Sequence, residues 1–162
     1  MVDMQGILKV RVVEGRNLAV RDVISSDPYV KLKLGTHKVK TRVIKSNLNP
    51  RWNEQLTLAT AEPLELLKLV VYDRDMLSAD DKMGEAEIDL SSLVAAVKSK
   101  RSQDCQNGVI IQSIPADSQN CFTKDSTLKV KDGHIVQKVC IRLKNVESGD
   151  IKLELMWQPY TR

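Results

Sequence analysis

An antiparallel all-β sandwich is the fold class this sequence predicts, on three observations. Apolar and polar residues alternate with a period of two in run after run. That pattern turns one face of a strand into a core and the other into water. The pairs Gly35-Thr36 and Asp132-Gly133 fall between such runs, where two-residue hairpin turns belong. Only one stretch has helical spacing.

The elements follow in order. In "ILKVRVV", Leu8, Val10 and Val12 share a face opposite Lys9 and Arg11. In "YVKLKL", Val30, Leu32 and Leu34 oppose Lys31 and Lys33. In "HKVKTRV", Val39, Thr41 and Val43 oppose Lys38, Lys40 and Arg42. "QLTLA", "LLKLVVY" and "EAEIDL" continue the series. A short helix then fits Leu93, Val94 and Val97, with Ser91 as its cap. "GVIIQSI", "STLKV", "HIVQKVCIRL" and "DIKLELMWQ" close the chain as strands. Residues 99–124 are the least regular part. Nothing marks a second domain, so residues 1–162 are expected to form one.

Composition narrows the function. At 162 residues, 42% hydrophobic and 28% charged, the chain is an ordinary globular sequence with room for a core. No apolar run approaches the roughly 20 residues that span a bilayer, and the first residues do not read as a secretory signal. Three cysteines at wide spacing fit neither a disulfide framework nor a zinc site. Aromatic residues are 4%, too few for stacking on single-stranded nucleic acid, and no nucleic-acid partner is expected. A net charge of +4 suits an anionic surface. There is no P-loop, no G-x-S-x-G and no H-E-x-x-H, so a catalytic site is not expected.

Against that positive balance, "YDRDMLSADDKMGE" crowds Asp73, Asp75, Asp80 and Asp81 around the apolar Met76 and Leu77. Two unit charges about 5 Å apart repel by roughly 3 kcal/mol at an effective dielectric of ~20. A divalent cation relieves this, and carboxylate oxygens are calcium's preferred ligands. The EF-hand pattern fails, because Leu77, Ser78 and Gly84 fall where it needs a ligand, glycine and glutamate. A second acidic loop must then complete the site. "RDVISSDPYV" offers one, with Asp22 and Asp27 around Val23 and Ile24.

The segments "LKVRVVEGRNL", "SDPYVKLKL", "KTRVIKSNLNPRWNE", "LVVYDRDMLSADDKMGEAEIDL" and "IKLELMW", in that order, resemble a C2 domain. The resemblance implies an eight-stranded antiparallel sandwich that binds Ca2+ and phospholipid at one edge. It implies Asp22, Asp27, Asp73, Asp75 and Asp81 as ligands, with the carbonyls of Arg21 and Arg74. Asp81 rather than Asp80 aligns with the acid before the family's Met-Gly. Four residues separate Asp22 from Asp27, where many members have five. The stretch "SQNCFTKDSTLKVKDGHIVQKVCIRLKNVESGD" is similar to the plant C2-domain abscisic-acid-related proteins, with an insertion expected around residues 98–134.

That group implies calcium-dependent recruitment of PYR/PYL-type abscisic-acid receptors to the plasma membrane, within abscisic acid signalling. It also implies stimulation of an Obg-like ATPase, and a location in the cytoplasm, at the membrane periphery and in the nucleus. On this reading Val23, Ile24, Met76 and Leu77 insert into lipid. Lys31, Lys33, Lys38, Lys40 and Arg42 form a patch for anionic phospholipid. The alternative is a calcium-independent protein-interaction module.

Overall fold

A computed structural model describes residues 4–61 and 66–160. Two antiparallel sheets face each other. Strands β1 (Met4–Arg16), β2 (Pro28–Leu34), β3 (His37–Lys40), β4 (Arg51–Ala61), β5 (Leu67–Asp73) and β6 (Asp81–Ile88) precede helix α1 (Ser91–Lys98). Strands β7 (Ile110–Ile114), β8 (Ser126–Lys131), β9 (His134–Arg142) and β10 (Asp150–Pro159) follow it. The larger sheet runs β4-β1-β10-β9-β8-β7 and the smaller β3-β2-β5-β6.

Ten strands form among the described residues, against the eight implied by resemblance. A four-on-four sandwich of β4, β1, β10 and β9 against β3, β2, β5 and β6 accounts for eight. The other two, β7 and β8, lie within residues 98–134 and extend the larger sheet. The cause is local. Asp132 and Gly133, both at positive φ, make a two-residue turn that folds β8 onto the edge of β9. Strand β8 then buries Leu128 and Val130, so it is part of the core.

The period of two is met in the packing. Strand β2 buries Val30, Leu32 and Leu34, and β10 buries Ile151, Leu153, Leu155 and Trp157. Leu8, Val10 and Val12 of β1 meet them between the sheets. Helix α1 packs on β9 and β10 through Leu93, Val94 and Ala96. Its start differs from expectation. Ser91 is already helical and Leu90 holds the capping position, with no side-chain cap of its own. Asp89 supplies the oxygen instead, its Oδ1 accepting the Ser91 N–H at 2.8 Å. Strand β3 is shorter than its alternation suggests. It ends at Lys40, beyond which the Thr41 hydroxyl accepts the Val30 N–H and donates to the Arg42 carbonyl.

Candidate metal centre

The connection from β1 to β2 and the one from β5 to β6 meet at one end of the sandwich. Hydrogen bonds from the backbone pin them together. Asp27 N–H donates to Asp73 Oδ1 at 2.7 Å, and Arg74 N–H donates to the Asp27 carbonyl at 3.0 Å. Asp22, Asp27 and Asp73 each bring a carboxylate oxygen within 4.8 Å of the others. Calcium takes oxygens at about 2.3–2.6 Å, so oxygens sharing one ion lie up to about 5 Å apart. The cluster is consistent with calcium binding.

Electrostatics agrees. Burial raises the Asp73 carboxyl above its ordinary range, and the charges of Asp22 and Asp27 push the same way, while the Asp27 N–H opposes them. A buried acid facing two others resists ionisation. The first loop is held from below. Ser26 is buried, its hydroxyl donating to the Ala19 carbonyl and accepting the Arg21 N–H, each at 2.9 Å. Asp22 N–H donates to the Ser25 carbonyl at 2.9 Å. Asp27 Oδ1 also accepts the Ser46 N–H at 2.7 Å, tying in the stretch before β4.

The remaining aspartates are placed differently. Asp75 is turned into its own loop, where Oδ1 accepts the Leu77 N–H at 2.9 Å and Oδ2 the Ser78 hydroxyl at 2.7 Å. Those two donors, the amide first, lower its carboxyl. Asp81 lies opposite Asp73 in the β5–β6 register and is exposed. Asp80 shapes the loop: it accepts the Asp75 N–H at 2.9 Å and the Tyr29 hydroxyl. These bonds lower Asp80, while burial and then Asp80 push the Tyr29 phenol up to about 12.

Val23, Ile24, Met76 and Leu77 stand at the two loop tips, exposed by 96%, 84%, 82% and 97%. No other large hydrophobic group among the described residues exceeds 55%. On the smaller sheet, Lys31 pairs with Lys40 and Lys33 with Lys38 across β2 and β3. Lys33 also faces Lys68 of β5, a lysine the sequence analysis did not include. Arg42 lies past the end of β3, with Nη1 3.3 Å from Glu54 Oε1.

The C2 domain family profile matches residues 6–106. The chain is 48% identical over 157 residues to Protein C2-DOMAIN ABA-RELATED 3 of Arabidopsis thaliana, covering 97% of this chain and 93% of that protein. This chain belongs to the C2 family, among the C2-domain ABA-related proteins. It is also 47% identical over 152 residues to GTPase activating protein 1 of Oryza sativa subsp. indica, covering 94% of this chain and 91% of that one. Among solved structures, the paired C2 domains of Extended-Synaptotagmin 2 share the fold, with a TM-score of 0.64 at 24% identity. That match covers 97% of this chain and 42% of the other.

Within this C2 domain, sequence reasoning missed Tyr29, Ser26 and Glu147 near the metal end. Ser26 and Tyr29 flank Asp27 and look like ordinary turn and strand residues. Glu147 lies far along the chain, yet both its carboxylate oxygens meet Arg21 at 2.9 Å. No local pattern signals a partner at that separation. No described helix is long and apolar enough to cross a membrane.

Proposed function

We propose that this C2 domain is a calcium-dependent docking protein for anionic phospholipid. The carrying observation is that one end of the sandwich holds both a cluster of three converging carboxylates and four apolar tips in water. On this reading Asp22, Asp27, Asp73, Asp75 and Asp81 hold Ca2+, with the carbonyls of Arg21 and Arg74. Five carboxylates contribute about −5, which repels an anionic leaflet. Bound calcium supplies positive charge that removes this repulsion and takes lipid phosphate as a further ligand. The residues then divide the work. Val23, Ile24, Met76 and Leu77 enter the interface, each contributing about 1.5–3 kcal/mol if fully buried. Lys31, Lys33, Lys38 and Lys40 add about 1 kcal/mol each near the anionic surface.

The relatives' names, ABA-related, support a wider role connected with abscisic acid, and the rest of that role is our proposal. Docking would bring PYR/PYL-type abscisic-acid receptors to the plasma membrane from the cytoplasm and nucleus. The rice relative's name, GTPase activating protein 1, supports stimulation of a GTPase, and the partner we propose is an Obg-like ATPase. All of residues 1–162 act as one domain here, with 98–134 as the segment that distinguishes the group.

Sedimentation with phosphatidylserine vesicles tests the docking. Calcium should carry the protein into the pellet, chelator should release it, and the double variant Asp22→Ala with Asp27→Ala should stay in solution. Pelleting of the double variant at wild-type levels, or pelleting that ignores chelator, would sink the proposal. The second outcome would favour a calcium-independent interaction module.

A further inference from the structure

We infer that Arg21 is a positioning residue for calcium: its side chain braces the first loop against two other segments and so aims Asp22 at Asp27 and Asp73. The inference rests on the calcium reading above. Nη1 and Nη2 of Arg21 each lie 2.9 Å from an oxygen of Glu147, in the connection between β9 and β10. Nε donates to the Lys82 carbonyl of β6 at 3.3 Å, and Nη1 to the Val20 carbonyl at 3.0 Å. One guanidinium therefore joins three stretches of chain at the metal end. The Arg21 N–H meanwhile rests on the buried Ser26 hydroxyl. Asp22 is the next residue, so fixing Arg21 from both sides fixes where the Asp22 carboxylate begins.

Two properties separate this from an ordinary surface ion pair. The Arg21 side chain is 25% exposed and that of Glu147 62%, a setting in which such pairs contribute little to stability. What the contact offers is geometry, since a planar fork on both oxygens fixes direction in a way a lysine does not. The second property is a conflict of sign. Glu147 chiefly holds the proton on Arg21, and Asp81 and then Asp73 add to that, so the guanidinium charge lies near the cluster and opposes a further cation there. Charge alone makes Arg21 a hindrance to calcium. A brace makes it a help, because a preorganised loop does not spend binding energy on ordering itself.

Calorimetric calcium titration of the wild type, Arg21→Met, Arg21→Lys and Glu147→Gln separates the two. The brace predicts about three- to tenfold weaker binding for Arg21→Met although a positive charge has gone. It predicts a similar loss for Arg21→Lys, which keeps the charge and loses the fork. For Glu147→Gln the loss should persist in about 0.5 M salt, where charge effects reach only a few Å. Tighter or unchanged binding by Arg21→Met would overturn the brace. Hydrogen exchange on the calcium-free protein gives a readout without metal: the Asp22 amide should exchange faster in Arg21→Met while β1 and β10 stay protected, and an unchanged Asp22 amide would equally overturn it. A wild type that gives no calcium heat overturns the calcium reading itself, and the brace with it; a binding wild type beside a tighter Arg21→Met overturns the brace alone.

Discussion

Asp73 is the residue on which the metal end turns. It is buried, it anchors the first loop through the Asp27 N–H, and it faces Asp22 and Asp27. Without metal, those neighbours repel it. Asp22→Asn should therefore stabilise the calcium-free protein while abolishing its response to calcium. Asp22 is exposed, so the gain is of order 1 kcal/mol. In a domain of this size that raises Tm by about 2–4 °C in chelator. Scanning calorimetry with and without calcium checks both halves, and a lower Tm in chelator would contradict the repulsion. Tyr29 offers a second test at this scale. Its phenol, raised to about 12, stays protonated as the exposed phenol of an unfolded chain ionises near 10. The stabilising contribution is thus complete below about pH 10 and is lost as pH climbs towards 12. Ultraviolet titration should show a late phenol transition that is absent from Tyr29→Phe.

The elements were legible because alternation is a local property. Strands such as β2, β5 and β10 correspond to runs with a period of two, and both hairpin turns fall where glycine supplies the backbone angle. The two acidic loops were legible for the same reason, as aspartates at the ends of apolar runs. What escaped is long-range. The Arg21–Glu147 pair, the Tyr29–Asp80 bond and the Lys68 contribution depend on which strands become neighbours. The orientation of Asp75 escaped too, since a carboxylate that bonds its own loop reads the same in sequence as one aimed at a metal. Gly84 illustrates the limit. It reads as a plain strand residue, yet its φ is +114° and a Cβ there would come within 2.7 Å of Leu143 and Val146. The Val146 side chain belongs to the same β9–β10 connection as Glu147. Gly84→Ala should cost about 1–3 kcal/mol, read as a fall in the urea midpoint. A midpoint equal to wild type would show that the connection yields freely.

At the scale of the molecule, the placement of charge sets how the domain meets a surface. The net charge is +4, but the metal end is locally acidic and the β2–β3 face basic. The two regions are contiguous. Tyr29 of β2 gives its hydroxyl to Asp80 of the loop, while Lys40 Nζ lies 5.9 Å from the centroid of its ring. On the proposed docking, a leaflet touching the tips would be met next by the lysines, which would tilt the smaller sheet towards it. The two contributions respond differently to salt. Lysine attraction is screened over about 8–10 Å at physiological ionic strength, whereas burial of apolar tips is not screened. Replacing Lys31, Lys33, Lys38 and Lys40 by Gln should weaken vesicle binding strongly at low salt and little near 0.5 M, where the Debye length is only about 4 Å. Replacing Met76 and Leu77 by Ser should weaken it by a similar factor at both. If the lysine variant loses binding equally at all salt concentrations, its effect is not electrostatic attraction, and the tilted contact is wrong.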